Sequence, residues 1–535
     1  MDNKKNFETS NTEMIHISRA EYEKFIAERA YITQLEQQNH WLMEQMKLLN
    51  RRQFGSVSEK ASDEVMKQMS LLFNEPEAYA SVQQKTKTAV KAHTRKRSSG
   101  SIHDIVPKDI PVNEVVHELS ADQRLCAQCG SEMVVIGKEI HESLKIKPAE
   151  AILQRDIYYT YACKDCEQKN VSTPVIKTPK DPVIIPGSFA SPEAVAYLAT
   201  QKFVMYSPLY RLEQEWNHKG LMLSRQTMSN WLLRCSKDWF EPIYNVLHKQ
   251  LVQCDVIHSD ETPLQVLHEP NKTAQSKSSM WLYRTGSDAE HPIVLYEYQP
   301  GKSGKYPRKF LQGFHGYLQT DGAAYYSKIE NSISVGCWAH ARRKFDEAMK
   351  AQSQENEMQS IPAAQGVAYC SKLFELEQEY TAQNLSFEER RQQRLERSKP
   401  ILDAMLAWSN TITAAPKSKL GTALTYLKNQ WKPLNRFLQD GRIELSNNRA
   451  ERSIKPFVMS RKNFLFANTT LGAQSSAVIF SLIETAKENG LDPYRYLTFV
   501  LHEAPKRSIQ NPNWAEKLLP GNAPDTCKET QRETS

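Results

Sequence analysis

Apolar residues near the amino terminus recur at alternating steps of three and four, which is the spacing of a coiled-coil seam. The seam positions are Ile32, Leu35, Asn39, Leu42, Met46 and Leu49. Asn39 falls at an a position, where a buried polar residue sets the register and favours two strands. The pattern predicts a coiled-coil helix within residues 1–60 that pairs two chains. A single amphipathic helix packed on its own chain is the alternative.

The pattern changes to a polar, basic stretch in residues 61–115, which we interpret as a linker. Within it, Lys85–Arg97 contains six Lys or Arg residues and no acid. Such a run is typical of a solvated, flexible tether, and it could also follow the phosphates of a nucleic acid.

Helical spacing returns in residues 181–245, where we predict three short helices. Ser191-Pro192 and Ser207-Pro208 are helix-start signals, Gly220 ends the second helix, and Leu223–Thr227 starts the third. The spacing is similar to that of a helix-turn-helix. The residues able to face a major groove are Arg225, Gln226, Ser229 and Asn230. Helical hairpins that bind no DNA have the same pattern, so both interpretations stay open.

From residue 252 the pattern indicates strands. Five are predicted, within or near Val252–Ser259, Met280–Arg284, Pro292–Tyr298, Tyr317–Gln319 and Ile333–Cys337, with a short helix over 308–314 and another helix around His340. Three strands, a helix, a strand, a helix and a strand form the element order of a ribonuclease-H-like fold. In that fold the first and fourth strands are adjacent, so Asp260 and Asp321 are expected to meet although 61 residues separate them.

The pair formed by Asp260 and Asp321 is a candidate metal site. Two buried carboxylates repel one another unless a cation neutralises them, and carboxylate oxygens suit magnesium. The alternative is two surface aspartates in turns, because Asp-Gly, as at Asp321-Gly322, is a common turn dipeptide.

Two C-x-x-C pairs predict a structural zinc site in residues 116–180. The four ligands are Cys126, Cys129, Cys163 and Cys166. Two such turns can place four thiolates tetrahedrally around one zinc ion, which leaves no position for catalysis. The residues between the pairs are expected to form strands, for example Ile152–Tyr161. A redox pair or free core thiols are the alternative.

Length and composition limit the class of protein. At 535 residues the chain exceeds what one core usually organises, and 40% hydrophobic with 24% charged residues is typical of a soluble multidomain protein. The net charge of +7 favours an acidic partner only weakly. Met1–Met14 is polar, no apolar run approaches the ~18 residues of a membrane span, and the scattered cysteines suit a reducing compartment. We therefore expect a cytoplasmic protein that does not engage a membrane.

Several motifs together resemble the insertion sequence 66 family of transposases. They are His258–Leu267, Leu318–Gly322, Cys337–Phe345, Asn447–Arg452, Arg461–Asn463 and Ser481–Ala486. The cysteine pairs, the helix-turn-helix region and Phe54-Gly55 are similar to that family in the same order. The resemblance covers residues 25 to 502, approximately. The chain differs from the common family pattern in its linker, which is less rich in proline.

The resemblance implies a DDE transposase in which Asp260, Asp321 and Glu451 hold two Mg²⁺ ions, with Mn²⁺ as a substitute. Glu451 follows Asp321 by 130 residues, which is long for a bare ribonuclease-H-like domain. We therefore predict a catalytic domain in two parts, 246–345 and 441–490, separated by an α-helical insertion over 346–440. A carboxy-terminal helix and tail would occupy 491–535.

Basic side chains follow each part of the predicted catalytic site. They are Arg342, Arg343 and Lys344 after the fifth strand, and Lys455, Arg461 and Lys462 after Glu451. Both groups could hold phosphates close to the metals. A solvated helix face is the alternative for each member.

Two residues after the fifth strand look like half a zinc site. Because no second pair lies nearby in the sequence, we expect Cys337 to be a packed thiol and His340 to be hydrogen-bonded. Trp338, between them, could stack on an unpaired base, with core packing as the alternative.

Glu451 has two competing interpretations. Asn448 could cap a helix, with Glu451 completing a capping box, or Glu444 could be the third ligand instead. Against these, Ala450 and Ile454 define a buried helix stripe, and Glu451 lies at its edge. Pro456 is expected to kink or end that helix.

The expected partners follow from the resemblance. They are the terminal inverted repeats of an insertion sequence, a target duplex, and further copies of the chain as a homodimer or higher oligomer, with small accessory proteins of the same element possible and a location at the nucleoid. Two other functions remain open. One is a DNA-binding regulator with an inert nuclease domain, and the other is a ribonuclease-H-like nuclease that cuts without joining.

Overall fold

The structure is a computed structural model that describes residues 150–162, 175–326, 328–352 and 361–529. The predicted coiled-coil seam, the basic linker and the four predicted zinc cysteines lie outside the described residues. The described residues divide into two compact units. One consists of Pro182–Asn217 and Met222–Lys528, and the other contains the described residues before 182 together with His218–Leu221 and Glu529.

The smaller unit contains a two-stranded antiparallel ladder. Strand β1 (Thr160–Ala162) pairs with β2 (Val175–Lys177). The predicted strand over Ile152–Tyr161 is therefore wrong for most of its length. Apolar alternation alone does not make a strand, because a strand also needs a partner, and here the pairing extends over three residues only.

The larger unit begins with helices whose starts follow the predicted signals. Helix α1 (Pro192–Phe203) is capped by Ser191, and α3 (Arg225–Cys235) is capped by Ser224. Helix α2 (Leu209–His218) lies between them, so the prediction of three short helices is confirmed. Helix α4 (Glu241–Leu251) leads towards the sheet.

A mixed sheet forms the centre of this unit. Its strands are β3 (Val256–His268), β4 (Lys277–Thr285), β5 (Val294–Gln299), β6 (Tyr317–Gln319) and β7 (Ile333–Val335), in the order β5-β4-β3-β6-β7. The pairs β5-β4 and β4-β3 are antiparallel, whereas β3-β6 and β6-β7 are parallel. The predicted adjacency of the first and fourth strands of the sheet is confirmed.

Two boundaries in this region were predicted wrongly. The strand expected over Val252–Ser259 starts later, at Val256, because the preceding helix continues to Leu251. It runs on to His268 because β4 pairs with it as far as Gln265 and residues 467–469 pair with it beyond that point. The helix expected over 308–314 is α5 (Lys305–Phe310).

A run of helices separates β7 from the last elements of the sheet region. They are α6 (Trp338–Gln352), α7 (Ile361–Ala382), α8 (Phe387–Gln393), α9 (Lys399–Thr411), α10 (Lys419–Asn429) and α11 (Trp431–Leu434). Apart from α8, which has no buried residue, these helices share a buried apolar cluster with β7. The fully buried Arg394 pairs with Glu377 at 2.7 Å and donates to the carbonyl oxygens of Phe437 and Ile443. This charge-assisted network ties the helices to the chain that returns to the sheet.

The chain returns through α12 (Asn448–Phe464), β8 (Ala467–Thr469), α13 (Thr470–Glu488) and α14 (Pro493–Gln510). Helix α13 covers the edge strand β5, where Thr485 Oγ1 accepts from the Val294 amide and Ser481 Oγ accepts from the Tyr296 amide. Within the ranges given above, no helix is long and apolar enough to cross a membrane.

The sequence predicted that α12 kinks or ends near Pro456; the helix does not end there but continues to Phe464. Its buried stripe includes Ala450, Ile454 and Phe457, so the predicted stripe is confirmed and extends beyond the proline. Packing of this stripe outweighs the one backbone hydrogen bond that proline removes.

Candidate functional site

Strand register brings Asp260 and Asp321 to the same edge of the sheet. His258 in β3 is paired with Gln319 in the parallel strand β6. Asp260 lies two residues after His258, and Asp321 lies two residues after Gln319. Because side chains alternate with a period of two along a strand, Asp260 points to the same face as His258, whereas Asp321 lies in the turn just beyond the end of β6. The register therefore places the two aspartates at corresponding positions beside one another.

The turn after β6 is held by Tyr426 in helix α10 and by Gln430, the residue that follows this helix. Gly322 adopts a φ of +88°, which favours glycine. The Tyr426 hydroxyl donates to the Asp321 carbonyl at 3.0 Å, and Gln430 Nε2 donates to the Gly322 carbonyl at 3.4 Å. The Asp321 carboxylate accepts from the Ala323 amide at 2.9 Å. The helices after β7 thus orient the second aspartate as well as fill the interval before Glu451.

Asn447 joins the start of α12 to the aspartate strand. Its Nδ2 donates to the Ser259 carbonyl at 2.9 Å, and its Oδ1 lies 3.2 Å from His258 Nδ1. Its backbone amide donates to Cys337 Sγ at 3.1 Å. These contacts of Asn447 hold the start of α12, and with it Glu451 in the first turn of that helix, next to β3.

The capping interpretation of Glu451 is wrong. Asn448 is the first residue of α12, and the residue in the cap position is Asn447, whose side chain makes no capping bond within the described chain. Glu451 Oε1 is buried and finds no hydrogen-bond partner among the described residues. The glutamate of a capping box accepts a hydrogen bond from the backbone amide of the cap residue, and Glu451 accepts none from Asn447 or Asn448.

The three predicted carboxylates act on one another electrostatically, although within the described residues their oxygens do not all lie within 4.8 Å of one another. Burial raises the pKa of Asp260 well above its usual range, and the nearby charges of Glu261, Glu451 and Asp321 raise it further. A bound cation stabilises like charges that repel one another. With an unpaired carboxylate oxygen on Glu451, this set of hard oxygen donors fits a divalent metal such as Mg²⁺.

Glu444, the rival third ligand, is already paired. Its Oε1 lies 2.5 Å from Arg449 Nε. Burial by itself would raise the pKa of Glu444, but the neighbouring charges of His258 and Arg449 outweigh burial and lower it. A carboxylate held by an arginine at 2.5 Å has less to gain from a metal than Glu451, whose arginine contact is 3.5 Å long.

Glu261 is a neighbour of the site that the sequence did not single out. It accepts hydrogen bonds from Tyr325 and Tyr326 and pairs with Lys302 at 2.8 Å. Because it follows Asp260 directly in β3, it faces the opposite side of the strand. The sequence carried one usable signal, the Tyr325-Tyr326 pair close after Asp321.

Cys337, His340 and Arg343 surround Glu451. Cys337 is a buried thiol, as predicted. The prediction for His340 is only partly right: Nε2 lies 3.3 Å from Arg343 Nη1, but the buried Nδ1 finds no hydrogen-bond partner in the described ranges. Trp338 is fully buried and donates from Nε1 to the Leu434 carbonyl at 2.8 Å, so the stacking role is wrong and the core role is confirmed.

The predicted DNA-contact residues occupy three places. On α3, Arg225, Gln226 and Asn230 are exposed and Ser229 is half-buried. On α6, Arg343 faces Glu451 at 3.5 Å, Arg342 donates to Ser371, and Lys344 lies over the Tyr426 ring. On α12, Lys455 and Lys462 are exposed, whereas Arg461 is half-buried and donates to Thr262 in β3 at 3.2 Å. Of these ten residues, Arg343 approaches a predicted catalytic carboxylate directly.

Acidification is expected to destabilise the fold through His258. Burial, together with the charges of Arg449 and Arg284, lowers the pKa of His258 to about 4. Because histidine in the unfolded chain has its ordinary pKa of about 6.5, stability is lost as pH falls from about 6.5 to about 4, by at most roughly 3 kcal/mol. Chemical denaturation across this range measures the slope. His258→Gln should flatten it, and an unchanged slope in that variant would assign the effect to other groups.

Comparison with known proteins gives matches along most of the chain. A family model described as "Transposase IS66 family" matches residues 187–475, and "IS66 C-terminal element" matches residues 481–520. "Transposase C of IS166 homeodomain" matches residues 41–115, and "zinc-finger binding domain of transposase IS66" matches residues 123–167. The last range contains both predicted cysteine pairs.

Two relatives from Sinorhizobium fredii are similar over most of their length. One, "Uncharacterized protein y4jD", is 32% identical over 434 residues, which cover 78% of this chain and 81% of the relative. The other, "Uncharacterized protein y4qI", is 28% identical over 480 residues, which cover 85% and 84%.

Proposed function

The chain belongs to the IS66 family of transposases, and from that premise we propose that it is a DDE transposase that cuts and joins DNA at the inverted-repeat ends of an insertion sequence. One observation supports this most: beyond burial and the adjacent Glu261, the charges of Glu451 and Asp321, from distant segments of the chain, raise the pKa of Asp260. Structural carboxylates are paired with cations or hydrogen-bond donors, as Glu444 is. This trio instead has the charge repulsion and the unpaired oxygen of a cation site.

The strand arrangement supports a ribonuclease-H-like catalytic domain. Three antiparallel strands followed by two parallel ones, with the first aspartate in the central strand β3 and the second after β6, is the arrangement that this fold requires. We propose that residues 246–345 and 441–490 form this domain and that 346–440 are an insertion which positions the turn at Asp321 through Tyr426.

The three carboxylates would hold two Mg²⁺ ions, with Mn²⁺ as a substitute. When bound, these ions supply Lewis-acid activation of the attacking water or 3′-hydroxyl and neutralise charge on the leaving oxygen. The protein's own groups position the reactants. Asn447 fixes Glu451 relative to β3, and Arg343, with its side chain 31% exposed, can exchange its contact with Glu451 for one with a DNA phosphate.

The DNA path proposed here uses residues outside the metal site. The exposed face of α3, with Arg225, Gln226 and Asn230, is suited to contact a groove. Lys455 and Lys462 extend along α12 from Glu451, where they can bind backbone phosphates. Pairing of two ends requires two chains, for which the amino-terminal seam is the proposed contact.

The experiment that tests this function uses the full chain and duplexes that end in the inverted repeats flanking its reading frame. Cleavage at the repeat end and joining to a target plasmid, both dependent on Mg²⁺, are expected. Cleavage without joined products would mean a nuclease, and binding without cleavage would mean a regulator. Either result would overturn the proposal. If joining requires small proteins of the same element, adding them should restore it.

Zinc binding gives a separate prediction for residues 116–180. The match to a zinc-finger domain supports a bound zinc, and we propose Cys126, Cys129, Cys163 and Cys166 as its ligands. Protein purified and dialysed without added metal should retain about one zinc per chain by elemental analysis. Cys163→Ser should lose it and unfold this module, because a structural zinc contributes folding free energy. Full zinc retention in that variant would contradict the assignment.

A further inference from the structure

A cysteine and a histidine lie close to Glu451, one of the proposed magnesium ligands. Cys337 precedes α6, His340 lies in its first turn, and Glu451 lies in the first turn of α12. One ligand atom from each of the three residues lies within 4.8 Å of the other two. This places sulfur, nitrogen and oxygen donors around one small volume.

Two of these donors are left without partners. His340 Nδ1 and Glu451 Oε1 are both buried, and neither finds a hydrogen-bond partner in the part of the chain that the structure describes. They lie 3.6 Å apart, which is too long for a hydrogen bond. Two ligands of a tetrahedral zinc, with bonds of about 2.0–2.2 Å, are separated by roughly 3.4 Å. The 3.6 Å between His340 Nδ1 and Glu451 Oε1 is thus closer to the distance between two ligands of one metal ion than to the length of a hydrogen bond.

The third donor determines which metal fits. Burial raises the pKa of the Cys337 thiol to about 12, so a metal has to displace its proton, whereas the Asn447 amide, which donates to Sγ at 3.1 Å, opposes part of that shift. Thiolate, imidazole and carboxylate together suit Zn²⁺, whereas Mg²⁺ requires oxygen ligands. Three protein ligands leave a fourth position for water.

We propose that Cys337, His340 and Glu451 form a second, weaker zinc site, and that zinc bound there inhibits the enzyme by withdrawing Glu451 from Asp260 and Asp321. The binding is independent of the proposed catalytic function, whereas the inhibition rests on it. Because Glu451 would belong to both metal sites, the two metals compete for it.

Charge and proton balance are satisfied on binding. The Cys337 thiol releases its proton to solvent, so the thiolate and the Glu451 carboxylate together neutralise the two charges of zinc. Coordination through Nδ1 leaves the imidazole proton on Nε2, and the 3.3 Å contact from Arg343 to that nitrogen must then break. Arg343 and Lys344 oppose a cation here, and Asp321 favours it. Arg343 is partly exposed and can turn outwards.

The test is a metal titration of the full chain after the tight cysteine site has been filled with zinc. One equivalent of Co²⁺, added as the second metal ion per chain, should bind and give thiolate-to-metal absorption, and Zn²⁺ should displace it. Cys337→Ser should remove this absorption, and His340→Gln should weaken binding beyond the ~10–100-fold that an outer-shell change causes. Cys370→Ser is the matched control, because Cys370 is another buried thiol of the same helical core. It should bind the second ion normally.

Inhibition is measured as the ratio of Mg²⁺-dependent cleavage with and without added zinc, within each variant. Wild type and Cys370→Ser should be inhibited, and any residual cleavage by His340→Gln should resist zinc. If the second ion binds equally well to Cys337→Ser and His340→Gln, the site is wrong. If it binds as proposed but leaves cleavage unchanged, the inhibition is wrong. If no form of the protein cleaves DNA while the titration behaves as expected, the catalytic proposal fails and the zinc site stands.

Discussion

Replacing Asp260 by asparagine is expected to abolish metal-dependent cleavage and joining while making the metal-free protein more stable. The loss of activity should exceed the ~10–100-fold of outer-shell changes, because a carboxylate ligand is removed. The gain in stability follows from electrostatics, because burial and the charges of Glu261, Glu451 and Asp321 oppose ionisation of Asp260. About 1 kcal/mol of relieved repulsion would raise the melting temperature by ~2–4 °C.

The sign of the pH dependence distinguishes this explanation from a general effect of the substitution. Since the pKa of Asp260 is raised in the folded state, its contribution to stability is fully present below the unfolded pKa and is lost as pH rises through the folded pKa. The wild type should therefore lose stability with rising pH in this window, and Asp260→Asn should not. Magnesium should restore the wild type at the upper end of the window and leave the variant unchanged.

Asp403→Asn provides the matched control for this prediction. Asp403 forms an exposed i,i+4 pair with Lys399, with its side chain 62% exposed, so its removal should change stability by at most about 0.5 kcal/mol and cleavage not at all. An Asp260→Asn protein that cleaves DNA in magnesium would remove Asp260 from the metal site. A variant that is inactive but melts well below the wild type would point to a structural aspartate instead.

The first pair of carboxylates could be predicted from sequence because it depends on local information. Each aspartate follows a short apolar run, Asp260 within β3 and Asp321 after β6, and the number and order of the intervening elements determine that the two strands are adjacent. The confirmed pairing of His258 with Gln319 is the consequence. Periodicity did not give the start of β3, because Val252 and Cys254 alternate with Gln253 and Asp255 just before Val256, so the strand pattern begins in the sequence before the strand does.

The contacts around Glu451 could not be predicted in the same way. Asn447 reaches across 188 residues to Ser259, and Cys337 meets Asn447 across 110 residues. Neither contact can be read from the periodicity of the sequence, because each depends on how helices α6 to α11 return the chain to the sheet. Cys337 and His340 were therefore considered as an isolated half-site, although Glu451 lies beside them. A metal site assembled from distant segments is visible only after the packing is known.

Glu451 and Glu444 are expected to respond to the same substitution in opposite ways. Glu451→Gln removes a carboxylate that has an unpaired oxygen and that opposes the ionisation of Asp260. The folded protein loses no ion pair at hydrogen-bond distance, since Arg343 and His340 lie 3.5 and 3.6 Å from it. We expect normal melting or slight stabilisation, with cleavage reduced by more than ~100-fold.

Glu444→Gln should instead affect folding. The substitution leaves Arg449, whose side chain is only 23% exposed, without its 2.5 Å ion pair. A fully buried pair would cost ~3–5 kcal/mol on losing one partner and an exposed pair less than ~1 kcal/mol, so about 1–2 kcal/mol is expected for this half-buried one. The Gln319 bond to the Glu444 carbonyl is a backbone contact and survives. Cleavage should therefore persist at temperatures below the lowered melting point.

The two variants are compared by thermal melting without metal and by single-turnover cleavage in magnesium at a temperature at which both are folded. The assignment of Glu451 requires a crossed result, in which one variant loses activity at unchanged stability and the other loses stability while keeping activity. If Glu451→Gln cleaves normally and Glu444→Gln does not, the third ligand is Glu444, and Arg449 must then release it when the metal binds. If both variants remain active, neither glutamate is required, and the metal site consists of the two aspartates with a ligand from elsewhere. The arginine contacts favour the first of these three outcomes, because the 3.5 Å contact of Arg343 with Glu451 is given up to a metal more readily than the 2.5 Å pair of Arg449 with Glu444, and Glu451 Oε1 has no hydrogen-bond partner among the described residues.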